Sequence, residues 1–150
     1  MKRSYVSILS LMAVMFSCGC NKDQPSARIT MAEGSLSVNN LSDVDIFPTV
    51  KTRREEYFGV VSNGGGGKTI GFAQIDADKQ ARVVWAEKEF DEPKRTVVFP
   101  LKITDEVTKK TNHLEFLYKG NGVWLLNLYS SPHPGKNTSL VAIKGEVIKE

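Results

Sequence analysis

The sequence predicts an all-β domain, an antiparallel β-sandwich or a partly closed barrel with room for one short helix. Three observations predict it. Apolar and polar residues alternate with a period of two from Arg28 onward. In 96–104, Val97, Phe99, Leu101 and Ile103 fall on one face and Thr96, Val98, Lys102 and Thr104 on the other. Turn signals punctuate the chain at short intervals: NGGGG at 63–67, DADK at 76–79, DEPK at 91–94, KGNG at 119–122 and SSPHPGKN at 130–137. Finally, 123–128 (VWLLNL) is almost wholly apolar, as suits a central strand covered on both faces.

Taken in order, strands are expected at about 28–32, 35–39, 44–50, 57–62, 68–75, 81–90, 95–104, 111–118, 123–129 and 138–148. Leu114, Phe116 and Tyr118 alternate with His113, Glu115 and Lys119, which places His113 on a polar side in a surface or cross-strand role. The stretch 45–61 reads two ways. Pro48 can open a helix through 52–58, because Val50, Tyr57 and Val61 recur at helical spacing, whereas the YFGVV end favours a strand.

Ahead of the domain lies MKRSYVSILSLMAVMFSCGC. Lys2 and Arg3 precede an apolar run over 5–16, then small residues surround Cys18 and Cys20, the layout of a bacterial export signal. The run is shorter than the about 20 residues a spanning helix needs. Ending at once on cysteine, it resembles a lipoprotein signal, whose cysteine thiol takes a diacylglycerol. Cys18 has the apolar Met15 three positions upstream; Cys20 has the better small neighbour, Gly19, and is the alternative acceptor. A Cys-Gly-Cys disulfide closes a strained ring and staples nothing. The expected organisation is a signal at 1–17 (1–19 if Cys20 is lipidated), a polar lipidated tether at 18–27 and one β domain at 28–150. Neither Gly19 nor Asn21 is the aspartate that retains lipoproteins in the inner membrane, so the expected location is the outer membrane, facing the periplasm.

Loss of Lys2 and Arg3 with the signal leaves 18 basic and 17 acidic residues, a balance that gives no reason to invoke nucleic acid. SNGGGGKT at 62–69 lacks the first glycine of a P-loop and runs on as a strand pattern rather than the helix a phosphate needs. Asp76, Asp78, Gln80 and Glu87 fall on calcium-loop positions, but Ala81 stands where the loop requires glycine. There is no G-x-S-x-G or H-E-x-x-H, and the two histidines, His113 and His133, have no cysteine or aspartate cluster beside them. Neither catalysis nor a metal or cofactor is expected.

Four stretches, SVNNLSDVDIFPTV (37–50), NGGGGK (63–68), ARVVWAEKEF (81–90) and HLEFLYKGNGVWLLNLYSSPHPG (113–135), together resemble a family of small proteobacterial lipoproteins. Members are often encoded in type VI secretion clusters, beside antibacterial phospholipase effectors. In that family a cysteine pair commonly follows the Gly run; here Gly71-Phe72 stands in that region, so no role of those cysteines carries over. The resemblance implies an immunity lipoprotein that binds and inhibits its effector in the periplasm. A structural or accessory envelope lipoprotein is the second reading, and a periplasmic enzyme with an unrecognised site the third.

If 57–148 forms a simple meander, the turns at 63–67, 91–94 and 119–122 cluster at one end and those at 76–80, 105–111 and 130–137 at the other. The second end carries Asp76, Asp78, Lys109, Lys110, His133 and Lys136 and is the expected partner-binding surface, stiffened by Pro132 and Pro134. Replacing the true acceptor cysteine, Cys18→Ser in the first instance, is expected to move the protein from the membrane to the soluble periplasmic fraction. Fractionation with mass spectrometry of the native N-terminus checks it.

Overall fold

The computed structural model describes residues 25–26, 28–52, 54–78, 80–87, 94–130 and 139–148, with 25–33 and 72–78 described by backbone alone. Two five-stranded sheets face each other without closing into a barrel, which decides for the sandwich. Sheet one has the order β11-β10-β9-β2-β5 and sheet two the order β12-β7-β6-β3-β4. Sheet one contains β2 (Arg28–Asn40), β5 (Gly66–Asp78), β9 (His113–Tyr118), β10 (Trp124–Tyr129) and β11 (Val141–Lys144). Sheet two contains β3 (Thr49–Lys51), β4 (Glu55–Tyr57), β6 (Gln80–Trp85), β7 (Arg95–Pro100) and β12 (Glu146–Ile148). A minor pair joins β1 (Pro25–Ser26) to β8 (Ile103–Thr104), so strand pairing begins inside the segment expected to be a tether.

The alternation read from 96–104 holds: Val97, Phe99, Leu101 and Ile103 are buried, whereas Lys102 is exposed. Leu114, Phe116 and Tyr118 likewise enter the core from β9, with Trp124, Leu126 and Leu128 from β10. The two sheets meet through rings. Trp85 stands 5.4 Å from Trp124 and 6.0 Å from Tyr118, and Phe99 lies edge-on to Phe116 at 5.4 Å.

The connectivity departs from a meander. β9 pairs with β2, in parallel, with Ser35 opposite His113 and Asn40 opposite Tyr118. A parallel pair needs a long crossover, and here the chain visits sheet two between the partners. The expected strands 28–32 and 35–39 are one strand, β2, whose irregular register falls at Gly34. The expected turn at 76–79 is mostly strand, since β5 runs on to Asp78. The expected strand 138–148 divides at Gly145, where the chain crosses from sheet one to sheet two. A Cβ there would run into Val97 and stand 2.9 Å from the Phe99 ring, so only glycine lets the backbone cross that close to the core.

The helical option at 52–58 is not taken: β4 occupies Glu55–Tyr57, antiparallel to β3. The short helix is instead α1 (Asp105–Lys110). Thr104 caps it by accepting from the Val107 N–H at 3.4 Å, with Asp105 and Glu106 in the first turn and Lys109 and Lys110 in the last. The strand after the Gly run also means that 62–69 opens no phosphate-binding helix.

Phe99→Ala and Leu126→Ala are each expected to cost about 2–5 kcal/mol in denaturant unfolding. Leu125→Ala, on the half-buried outer side of β10, and Lys102→Ala, in solvent, are expected to cost much less.

Candidate binding face

Because Leu36 and Val38 of β2 and Leu114, Phe116 and Tyr118 of β9 point into the core, their alternates emerge on the outer face of sheet one. Ladder register lines them up in rows: Ser37, Glu115 and Asn127; then Asn39, Leu117 and Leu125. The polar side chains of these rows, with Ser35, His113 and Tyr129 of the row before them, join into two networks.

The first surrounds His113. Ser35 Oγ lies 2.5 Å from its Nδ1 and Ser37 Oγ lies 3.0 Å from its Nε2. A hydroxyl can donate to one ring nitrogen and accept from the other, so both edges of the imidazole are matched. The ring also tilts against Tyr129 at 5.7 Å. The expected cross-strand role is correct, but the surface position is not: His113 is 0% exposed, because the small serines leave room for the ring between them. At this burial neither hydroxyl is presented as a nucleophile.

The second network is centred on Glu115. Asn39 Nδ2 donates to its Oε1 at 2.5 Å, while Asn127 Nδ2 and the Tyr129 hydroxyl donate to Oε2 at 2.8 and 2.9 Å. Burial first, and then the Glu115 carboxylate that its hydroxyl faces, push the Tyr129 phenol up to about 12. Two neighbouring strands thus hold one carboxylate of β9 through neutral donors.

The end of the sandwich beyond this face is bound into one piece by Asn40, which is fully buried. Its amide nitrogen donates to Val44 O and Val61 O, and its oxygen accepts from Ser42 N and Oγ. Gly64 N donates to Ser42 O and Gly65 N to Asn40 O, Leu41 N to Tyr118 O, and Phe47 N to Ala86 O. Gly64 and Gly65 reach these bonds with φ of 65° and 99°, a conformation glycine adopts without strain. Parts of all four stretches that carry the family resemblance, 37–50, 63–68, 81–87 and 113–129, therefore meet at one end. Leu41, Val44, Val60 and Val123 are exposed there.

The residues expected to bind a partner distribute differently. Asp76 and Asp78 lie in β5, paired by backbone with Thr30 and Arg28 of β2. Lys109 and Lys110 are exposed on α1, which packs beside β1 and β2 at the same end of the sandwich. Lys110 reaches Glu106 at 2.6 Å and, through that hydrogen bond, holds its carboxyl below the usual range. His133 and Lys136, like Cys18, Cys20, Asp91 and Glu92, lie outside the described residues. The networks around His113 and Glu115 went unseen in the sequence. Their signal is polar residues at alternate positions in two strands, and it is readable only once β2 and β9 are known to be neighbours. No protein-family model, curated protein or solved structure matches the chain.

Raising the Tyr129 pKa favours the neutral phenol in the folded state. Its contribution is complete below the unfolded tyrosine value of about 10 and is lost as pH rises toward about 12. Tyr129→Phe is therefore expected to destabilise the protein at neutral pH and to narrow its deficit against wild type above pH of about 10. Denaturant unfolding across that range checks the sign.

Proposed function

We propose that this chain is a lipid-anchored immunity protein, facing the periplasm from the outer membrane, that binds and inhibits a type VI secretion phospholipase effector. The observation that carries the reading is the meeting of the four resemblance stretches at one end of the sandwich, around Asn40 and Ser42. Segments far apart in sequence build a single loop surface there, and hydrogen bonds hold it before any partner arrives. Loops ordered in advance lose less entropy on binding, which is what a protein inhibitor needs. The export signal ending at Cys18 and Cys20 supports delivery to the compartment where such an effector acts. The protein then works by occupying a surface of the enzyme, without chemistry, metal or cofactor of its own.

An accessory envelope lipoprotein is the alternative, and activity separates the two. Where a phospholipase is encoded beside this chain, titrating the mature protein into it is expected to abolish hydrolysis of phospholipid vesicles at about one equivalent. Full lipase activity in the presence of excess protein would overturn inhibition and leave the accessory role. The expected contribution of the α1 end is tested in the same assay. Reversing Lys109 and Lys110 to Glu, or Asp76 and Asp78 to Lys, is expected to weaken inhibition without lowering the melting temperature.

A further inference from the structure

Strand pairing starts early in this chain, and that fixes where a lipid anchor enters the domain. β1 pairs with β8, and α1 packs beside β1, β2 and β8. Pro25 therefore sits at the α1 end of the sandwich, just ahead of the start of β2 at Arg28. It follows Cys18 by seven residues and Cys20 by five. An extended chain covers at most about 3.6 Å per residue, so the entrance stays within roughly 25 Å of a lipid on Cys18 and roughly 18 Å of one on Cys20.

β2 then runs for 13 residues to Asn40, at the opposite end. At about 3.3 Å per residue that strand is about 40 Å long. An upright domain with its Asn40 end on the bilayer would need its entrance about 40 Å above the surface, beyond the reach of either tether. Every pose the tether allows keeps the α1 end near the lipid.

The cations at that end suit headgroup phosphates. Arg54 in the β3–β4 turn, Lys102 between β7 and β8, and Lys109 on α1 are exposed and make no ion pair among the described residues. Lys51 and Lys110 are instead held by Glu55 and Glu106. Asp105, and Asp76 and Asp78 of β5, offset part of the positive charge. The cations therefore orient the end, and the lipid supplies the attachment.

We propose that the α1 end faces the membrane, with Arg54, Lys102 and Lys109 against the phosphates of anionic phospholipid headgroups and the Asn40 end held out in the periplasm. The inference rests on the lipid-anchor reading above and adds its orientation. It turns the loop surface around Asn40 and Ser42 toward an arriving effector.

The experiment places the lipidated mature protein in vesicles of phosphatidylethanolamine and phosphatidylglycerol that carry a headgroup-linked quencher. A fluorophore is attached through Asp105→Cys on α1 or Asp43→Cys at the loop end, both exposed positions, with Cys20→Ser added where Cys18 carries the lipid. Quenching at Asp105→Cys is expected to exceed that at Asp43→Cys several-fold. Lys102→Glu with Lys109→Glu is expected to lower it at Asp105→Cys with unchanged melting temperature, and raised salt to do the same, because exposed charges are screened. No phospholipase is present, so the result is independent of the inhibition assay. Equal quenching at the two sites, or more at Asp43→Cys, would overturn the orientation while leaving the lipid anchor intact. An unchanged signal on charge reversal would overturn the headgroup contact. A native N-terminus without lipid, on a protein that stays off the vesicles, would overturn both the orientation and the anchor.

Discussion

Five aromatic rings hold the two sheets together. Trp85 of sheet two packs against Trp124 and Tyr118 of sheet one, and Phe99 against Phe116. All five residues are fully buried. Large rings fill the gap between facing sheets with few side chains and bury more apolar area than the β-branched residues around them. They also decide the faces of the strands. Once Phe116 and Tyr118 point inward, Glu115 and Leu117 must point outward, and the same parity runs through β10 by direct pairing. The outer face thus follows from the core.

That face is uncommon for a sandwich, in which outward residues ordinarily meet water. Here His113, Ser35 and Ser37 are buried and Asn127 nearly so. Polar groups withdrawn from water must be hydrogen-bonded, or each costs about 1–3 kcal/mol. The pairing of β2 with β9 meets the demand by setting serine hydroxyls beside imidazole and an asparagine amide beside carboxylate. The same ladder ends in Asn40, whose amide donates twice and accepts twice and ties the segments at 42–44 and 61 to the strand end. A single parallel pairing therefore supports the core, the polar networks and the loop surface.

The edges are handled separately. β5 is a 13-residue edge strand, long enough to invite pairing with another chain, and its register against β2 slips on either side of Gly34. A local irregularity of that kind twists an edge and interrupts its template. At the opposite side, the crossing at Gly145 lets one segment close both sheets in succession, β11 beside β10 and β12 beside β7.

The sequence by itself determined the class of fold and most of the inward face. Val97, Phe99, Leu101 and Ile103, and Leu114, Phe116 and Tyr118, are legible because alternation with period two is a local property of the strand. The turn at 119–122 is legible for the same reason, since Gly and Asn are required by its positive φ angles. Only the tertiary structure decided that β9 lies beside β2 and that the chain changes sheets at Gly145. It also put the helix at 105–110 rather than 52–58. The first two depend on contacts between residues far apart in the chain; in the third, pairing and packing override helical spacing. Residues 52–58 have helical spacing, but β3 offers Glu55–Tyr57 an edge to pair with. Asp105–Lys110 shows no marked apolar period, yet its Thr104 cap and charged ends suffice once Val107 packs against the core. The Glu115 site belongs wholly to this second kind, because its three donors come from two neighbouring strands that no local pattern joins to β9.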